Sequence, residues 1–257
     1  MKKKFISFCL AGLVATGAFG HDLWVWGENG DKFSANIIYG HTFPEPEKIP
    51  ENRADRFNGV DVIGIDGKQA LKQSGELHQY ESEKLKDGVY IVHVKTNPVT
   101  WIKKSGEKRR EINKTRKDTT DKVEVCATSS MQSKAFIKVG EASDSSVILK
   151  PLEEGLEITP VSIKSIDDIK VGELLKFKIT LDGKPVKHAT IYANYSGYGS
   201  NLNMATAGYA RSDLEGNFEF RPLTKGLWYL KSSVNTDSGN PDCERNSDST
   251  TLVFEIK

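Results

Sequence analysis

Val60-Asp61-Val62-Ile63-Gly64-Ile65 runs directly into Asp66-Gly67, and Gln69-Ala70-Leu71 returns. Asp-Gly suits the two central positions of a tight hairpin turn, where the backbone must reach positive φ. The alternation before it puts Val60 and Val62 on one face and Asp61 on the other, the period of a strand and not of a helix. Outward from this hairpin the same pattern recurs. Residues 33–39 (Phe-Ser-Ala-Asn-Ile-Ile-Tyr) end at Gly40-His41, residues 76–80 form a further candidate, and residues 89–95 follow a second turn at Asp87-Gly88. Residues 123–127 and 134–139 alternate again, while residues 53–57 suit a short helical turn. No stretch holds helical periodicity for three clean turns. Pro44, Pro46 and Pro50 keep the chain after His41 extended, because proline fixes φ and cannot donate to a ladder. Residues 103–122 carry nine basic and four acidic residues with almost nothing apolar, which reads as a solvated loop.

The second half repeats the theme. Leu156-Glu157-Ile158-Thr159-Pro160 reads as a linker strand, and candidates follow at residues 173–180, 189–195, 217–221, 226–233 and 251–256. Asp182-Gly183 and Glu215-Gly216 supply turns between them. The expectation is an all-β chain of two antiparallel β-sandwich-like domains, residues 21–157 and 158–257. The stretches Leu181-Asp182-Gly183-Lys184-Pro185-Val186 and Ser212-Asp213-Leu214-Glu215-Gly216-Asn217-Phe218 resemble prealbumin-like or carboxypeptidase-regulatory-like domains. Such domains are interaction or spacer modules, so this half implies no chemistry by itself.

Residues 1–20 read as a signal peptide. Lys2, Lys3 and Lys4 precede an apolar run over residues 5–14, and Ala18 and Gly20 fit the small-residue positions of a cleavage site. The run is too short to span a bilayer. Cleavage after Gly20 makes His21 the first residue of an exported chain. The full chain carries 36 basic and 35 acidic residues, and loss of the three lysines brings the mature charge to −2, against a nucleic-acid or anionic-membrane binder. Cys9 goes with the signal. Cys126 and Cys243 remain, an even pair in an oxidising compartment, which points to a disulfide with a metal-thiolate site as the rival.

A terminal His21 offers two nitrogens, its α-amine and its ring, and both can lose their protons near neutral pH. Nickel, copper and zinc all favour such nitrogen donors. His41, at a strand end before the proline-rich loop, and His93, which alternates with Ile91 and Lys95, are the further candidate ligands. A carboxylate site from Asp22, Glu45 or Glu47 is the alternative donor set. No Gly-x-Ser-x-Gly elbow, P-loop, His-Glu-x-x-His or dinucleotide glycine fingerprint is present, and Gly197-Tyr198-Gly199 lacks a strand-then-helix setting. The chain is not expected to be an enzyme.

Several stretches together resemble the periplasmic (NikM-like) proteins associated with nickel and cobalt uptake. They are His21-Asp22-Leu23-Trp24-Val25, Tyr39-Gly40-His41-Thr42-Phe43-Pro44, Asp87-Gly88-Val89-Tyr90, Pro98-Val99-Thr100-Trp101, Leu156-Glu157-Ile158-Thr159-Pro160 and Gly226-Leu227-Trp228. The resemblance implies a periplasmic accessory protein that binds Ni²⁺ or Co²⁺ as cargo and works beside a membrane metal-uptake transporter. Cu²⁺ or Zn²⁺ are the other ions the donors admit. Two other readings remain open: a non-catalytic cell-envelope interaction module with no functional metal site, and a copper enzyme with an N-terminal histidine brace.

Overall fold

A computed structural model describes residues 21–198 and 206–257. The signal peptide expected at residues 1–20, its cleavage site and Gly199 lie outside the described residues. The chain is all-β. In order its strands are β1 (Asp22–Asn29), β2 (Lys32–Gly40), β3 (Phe57–Gly64), β4 (Gly67–Ala70), β5 (Lys72–Gln73), β6 (Gln79–Glu83), β7 (Gly88–Thr96), β8 (Val99–Lys104) and β9 (Glu111–Ile112). They continue with β10 (Val123–Val139), β11 (Leu156–Pro160), β12 (Leu175–Leu181), β13 (Lys184–Pro185), β14 (Thr190–Tyr195), β15 (Gly208–Arg211), β16 (Asn217–Phe220), β17 (Gly226–Asp237) and β18 (Arg245–Ile256). A hairpin forms here, but one residue earlier than Asp66-Gly67 implies. Ile63 is opposite Lys68 and Gly64 opposite Gly67, so Ile65 and Asp66 are the central turn residues and Gly67, at φ 117°, opens the returning strand. Residues 51–56 form a 3₁₀ turn.

One large sheet lies at the centre, in the order β15-β14-β17-β18-β10-β7-β3-β4, with β8 and β9 attached to β10. A sheet of β1, β2, β6 and β5 covers part of one face, and a sheet of β11, β12, β13 and β16 covers part of the other. The period-2 alternation along the central strands feeds both layers. Val92, Val94, Ala135, Ile137 and Val253 point into the first core with Trp24, Phe33 and Ile37. Ile91, Phe136, Leu230, Leu252 and Phe254 point the opposite way, against Phe177, Ile179 and Phe218. A strand with both faces buried cannot alternate between apolar and polar, which is why β7 and the end of β18 read as nearly continuous apolar runs. Each fully buried aliphatic or aromatic side chain contributes about 1.5–3 kcal/mol of burial.

Other details also differ from the sequence reading or refine it. The expected strands at residues 123–127 and 134–139 are one strand, β10, continuous through the polar Thr128-Ser129-Ser130 stretch. The sheets are not purely antiparallel, because β10 and β18 run parallel from Ala127↔Arg245 to Phe136↔Phe254, so strands from either side of residues 157/158 share the central sheet. Residues 103–122 are largely exposed, as a solvated loop is, but they are tied down. Lys104 pairs with Glu111 and Asp121 at 2.9 and 2.8 Å, and Arg116 holds both carboxylate oxygens of Glu244 at 2.9 and 2.7 Å. Five of the nine basic residues, Lys103, Lys104, Lys114, Arg116 and Lys117, pair with acids of this segment, with Glu124 and with acids of the stretch around Glu244.

Cys126 and Cys243 form a disulfide, with Cα atoms 4.7 Å apart and a sequence separation of 117. Both are buried beside Ile102. Among the described residues no helix is long and apolar enough to cross a membrane.

Candidate metal centre

The first hairpin builds the site. Asp22 of β1 pairs with Gly40 of β2, so residues 21 and 41 are the next cross-strand neighbours just beyond the ladder. Their rings lie 4.4 Å apart between centroids, and His21 stacks on Tyr39 at 4.8 Å. The chain then turns back over the strand ends through residues 42–50. Phe43 anchors that turn by packing against Trp24 and Tyr229, and Ile49 is buried. The return places Glu47 over the two histidines: its Oε1 accepts from the His41 backbone N–H at 2.8 Å and lies 3.5 Å from His41 Nδ1. Glu47 Oε2 lies 4.0 Å from His21 Nε2.

Gly40 makes this closure possible. A Cβ built on Gly40 would fall 2.2 Å from Glu47 Oε1 and 2.4 Å from its Cδ, so only glycine leaves room for the carboxylate. The glycine of the Gly-His motif is therefore tied to the site and not to backbone conformation.

One donor atom from each of His21, His41 and Glu47 lies within 4.8 Å of the others. A tetrahedral ion with bonds of 2.0–2.1 Å spaces its ligands about 3.3 Å apart, so small side-chain rotations close the set. The side chains of His21, His41 and Glu47 are 31%, 52% and 42% exposed, so an ion reaches them directly from solvent. Electrostatics favour a neutral His21 ring beside a charged carboxylate. Partial burial, then His41 and Arg53, hold the His21 ring below its usual pKa. The His41 N–H, opposed by slight burial and helped by the nearby rings, holds the Glu47 carboxyl below its usual range. Imidazole nitrogen with one carboxylate oxygen is a donor set that nickel, cobalt, copper and zinc all accept.

The third histidine lies elsewhere. His93 is buried in the central sheet on the face opposite Val92 and Val94, with Nε2 3.2 Å from Gln132 Oε1. It is not a member of the cluster of donors. Its strand face reads as polar because it borders a buried polar seam of Gln132, Lys134 and Glu157, and not because it meets solvent. Burial holds its ring below the ordinary value near 6.5, partly offset by the Gln132 contact. The unfolded ring takes up a proton near pH 6.5 and the folded one only at lower pH. Stability from this group is thus complete above pH 6.5 and is lost as pH falls from there through the folded value. Urea denaturation between pH 7 and 5 is expected to show a slope of up to about 1.4 kcal/mol per pH unit from this residue. His93→Gln should remove that slope; an unchanged slope would place the proton uptake on another group.

Glu47 is the residue that single-residue reading undervalues, since it appears there only in a rival carboxylate set. The signal was Gly40 followed by three prolines, the device that turns the chain back.

The centre opens into a cleft of about 1590 Å³. Its floor is the part of the central sheet that the first small sheet leaves uncovered, where Ser129 and Ser247 pair across β10 and β18. Tyr192 and Tyr209, in edge contact at 6.0 Å, stand at one side. Trp101, with the Arg110 guanidinium 4.0 Å over its ring, stands at the other. Lys231 pairs with Asp22 at 2.5 Å on the floor beside His21.

No curated protein sequence matches the chain. Among solved structures it is similar to the D0-D1 domain of Intimin, at 9% identity over 91% of this chain and 98% of that one, with a TM-score of 0.21. It is also similar to fibronectin(III)-like modules of Clostridium thermocellum CbhA, at 10% identity over 94% of this chain and 93% of that one, with a TM-score of 0.20. At these scores neither likeness bears on function. The family comparison does identify the chain: it matches across residues 18–236, and the protein belongs to the family described as "Domain of unknown function (DUF4198)".

Proposed function

We propose that this protein is an exported, non-catalytic metal-binding accessory protein that captures Ni²⁺ or Co²⁺ in the periplasm and passes it to a membrane uptake system. The observation that carries the reading is the convergence of His21, His41 and Glu47 within 4.8 Å at the mouth of an open cleft. After cleavage at Gly20-His21, the α-amine of His21 adds a further nitrogen. The ion is cargo, which suits partly exposed ligands on a loop and a strand end better than a closed structural site.

Calorimetric titration of the processed protein with nickel tests this. His41→Ala and Glu47→Gln are each expected to weaken binding at least tenfold at pH 7.5 with the fold retained. Gly40→Ala should weaken it too, since the new methyl displaces the flexible end of Glu47. Affinity should also fall between pH 7.5 and 5, because an ordinary imidazole at pH 5 is protonated roughly 30-fold over its neutral form; His21, held below that value, loses less. Nickel binding unaffected by all three substitutions would reject the site.

A further inference from the structure

The charges around the candidate centre do not suit a bare dication. Arg53, Arg56, Arg110 and Lys231 line the cleft against Asp22 and Asp55, with Glu47 at its end. Lys231 and Asp22 neutralise one another. The Arg56 guanidinium sits 5.3 Å over the Tyr39 ring, the ring on which His21 stacks. Its Nη2 donates to the sulfur of Met131 at 3.8 Å, and its buried Nε has no partner among the described residues. Among the described residues neither Arg53 nor Arg56 pairs with a carboxylate. A site for a naked Ni²⁺ would gain from carboxylates at these positions and lose from guanidiniums.

The unfilled space makes the same point. Three side-chain donors and the α-amine of a processed His21 still leave a six-coordinate ion with open positions, and those positions face a cleft far larger than one hydrated ion. A guanidinium presents a planar fork of N–H donors that matches a carboxylate, commonly with two parallel hydrogen bonds.

We propose that the cargo is an anionic chelate: a divalent metal carried by a small polycarboxylate, whose metal is taken by His21, His41 and Glu47 while its free carboxylates are held by Arg53 and Arg56. This rests on the metal-capture reading above and specifies the form in which the metal arrives. The two arginines follow Pro50 in the 3₁₀ turn of residues 51–56, so the segment that carries Glu47 also carries the anion clamp. Metal ligand and clamp are thus brought to the cleft by one stretch of chain.

Equilibrium dialysis of the processed protein against radiolabelled citrate, with and without nickel, tests it. With nickel present, about one citrate per protein is expected to be retained; without nickel, retention should fall at least tenfold. The Arg53→Gln/Arg56→Gln protein should lose citrate retention at least tenfold while binding nickel alone at least as tightly as the unaltered protein does, since two positive charges near the ion are removed. That retained nickel binding also reports that its fold is intact. Arg53→Lys/Arg56→Lys, which keeps the charge without the fork, should retain an intermediate amount. Nickel bound with the citrate left outside would overturn the chelate and leave the metal-capture reading standing. Absence of nickel binding from the unaltered protein, alone or with citrate, would overturn both.

Discussion

Lys134→Met is expected to lower the free energy of unfolding by about 3–5 kcal/mol, the cost of leaving one partner of a buried ion pair alone. Lys134 on β10 and Glu157 on β11 are 1% and 0% exposed, with Nζ 2.8 Å from Oε2. Lys134 also reaches the Thr159 hydroxyl at 3.3 Å. Glu157 accepts from the backbone N–H groups of Leu152 at 2.9 Å and Glu153 at 2.8 Å. Burial opposes the charge on Glu157, yet Lys134 and these N–H groups outweigh it and keep the carboxyl below its usual range. Methionine matches the length of the lysine stem, so the loss is electrostatic and not a cavity. The double substitution Lys134→Met/Glu157→Gln removes both charges, and Gln keeps an acceptor for one of the two N–H groups. It should lie closer to the unaltered protein than the single variant does. Urea denaturation at pH 7 measures all three. A double variant no more stable than Lys134→Met would show that the pair is not coupled.

Removing the Cys126–Cys243 bridge is the other large effect expected. In the chain-entropy account, a closed loop of this length contributes about 5 kcal/mol by restricting the unfolded chain. The bridge also supports a polar cluster. Glu244, next to Cys243, accepts from the Cys126 N–H at 3.2 Å and from Arg116. Arg116 first, helped by that N–H, pushes the Glu244 carboxyl down to about 2. Arg116 donates as well to the Val123 carbonyl at 2.8 Å. Cys126→Ser/Cys243→Ser should therefore lower the urea midpoint strongly and expose residues 103–122 to limited proteolysis. Equal midpoints with and without reductant in the unaltered protein would show that the bridge adds nothing.

The sequence reading reached the fold class through its turns and alternation, and reached the disulfide by counting the cysteines left after an expected signal peptide. It did not reach the parallel pairing of β10 with β18. Register between distant strands leaves no local signal, and the polar Thr128-Ser129-Ser130 stretch looked like a break when it is the floor of the cleft. At the site, His21 and His41 were legible because each sits at a strand boundary beside a distinctive neighbour. Glu47 was harder, because its position follows from how Phe43 and Ile49 pack the returning loop. His93 misled because a buried polar seam and a solvated face have the same alternation in sequence. Only the Lys134–Glu157 pair across the sheets tells them apart.

The place of β18 between β10 and β17 also sets an order of events as the chain emerges. Until residues 245–256 are available, β10 ends in an open edge and β17 lacks its long neighbour. Neither flanking layer then has a finished surface to close upon. Assembly waits for the last strand, a contact between distant parts of the chain of the kind that slows folding. A chain truncated before Arg245 would present the unpaired edge of β10, and it would be expected to associate with other copies through it.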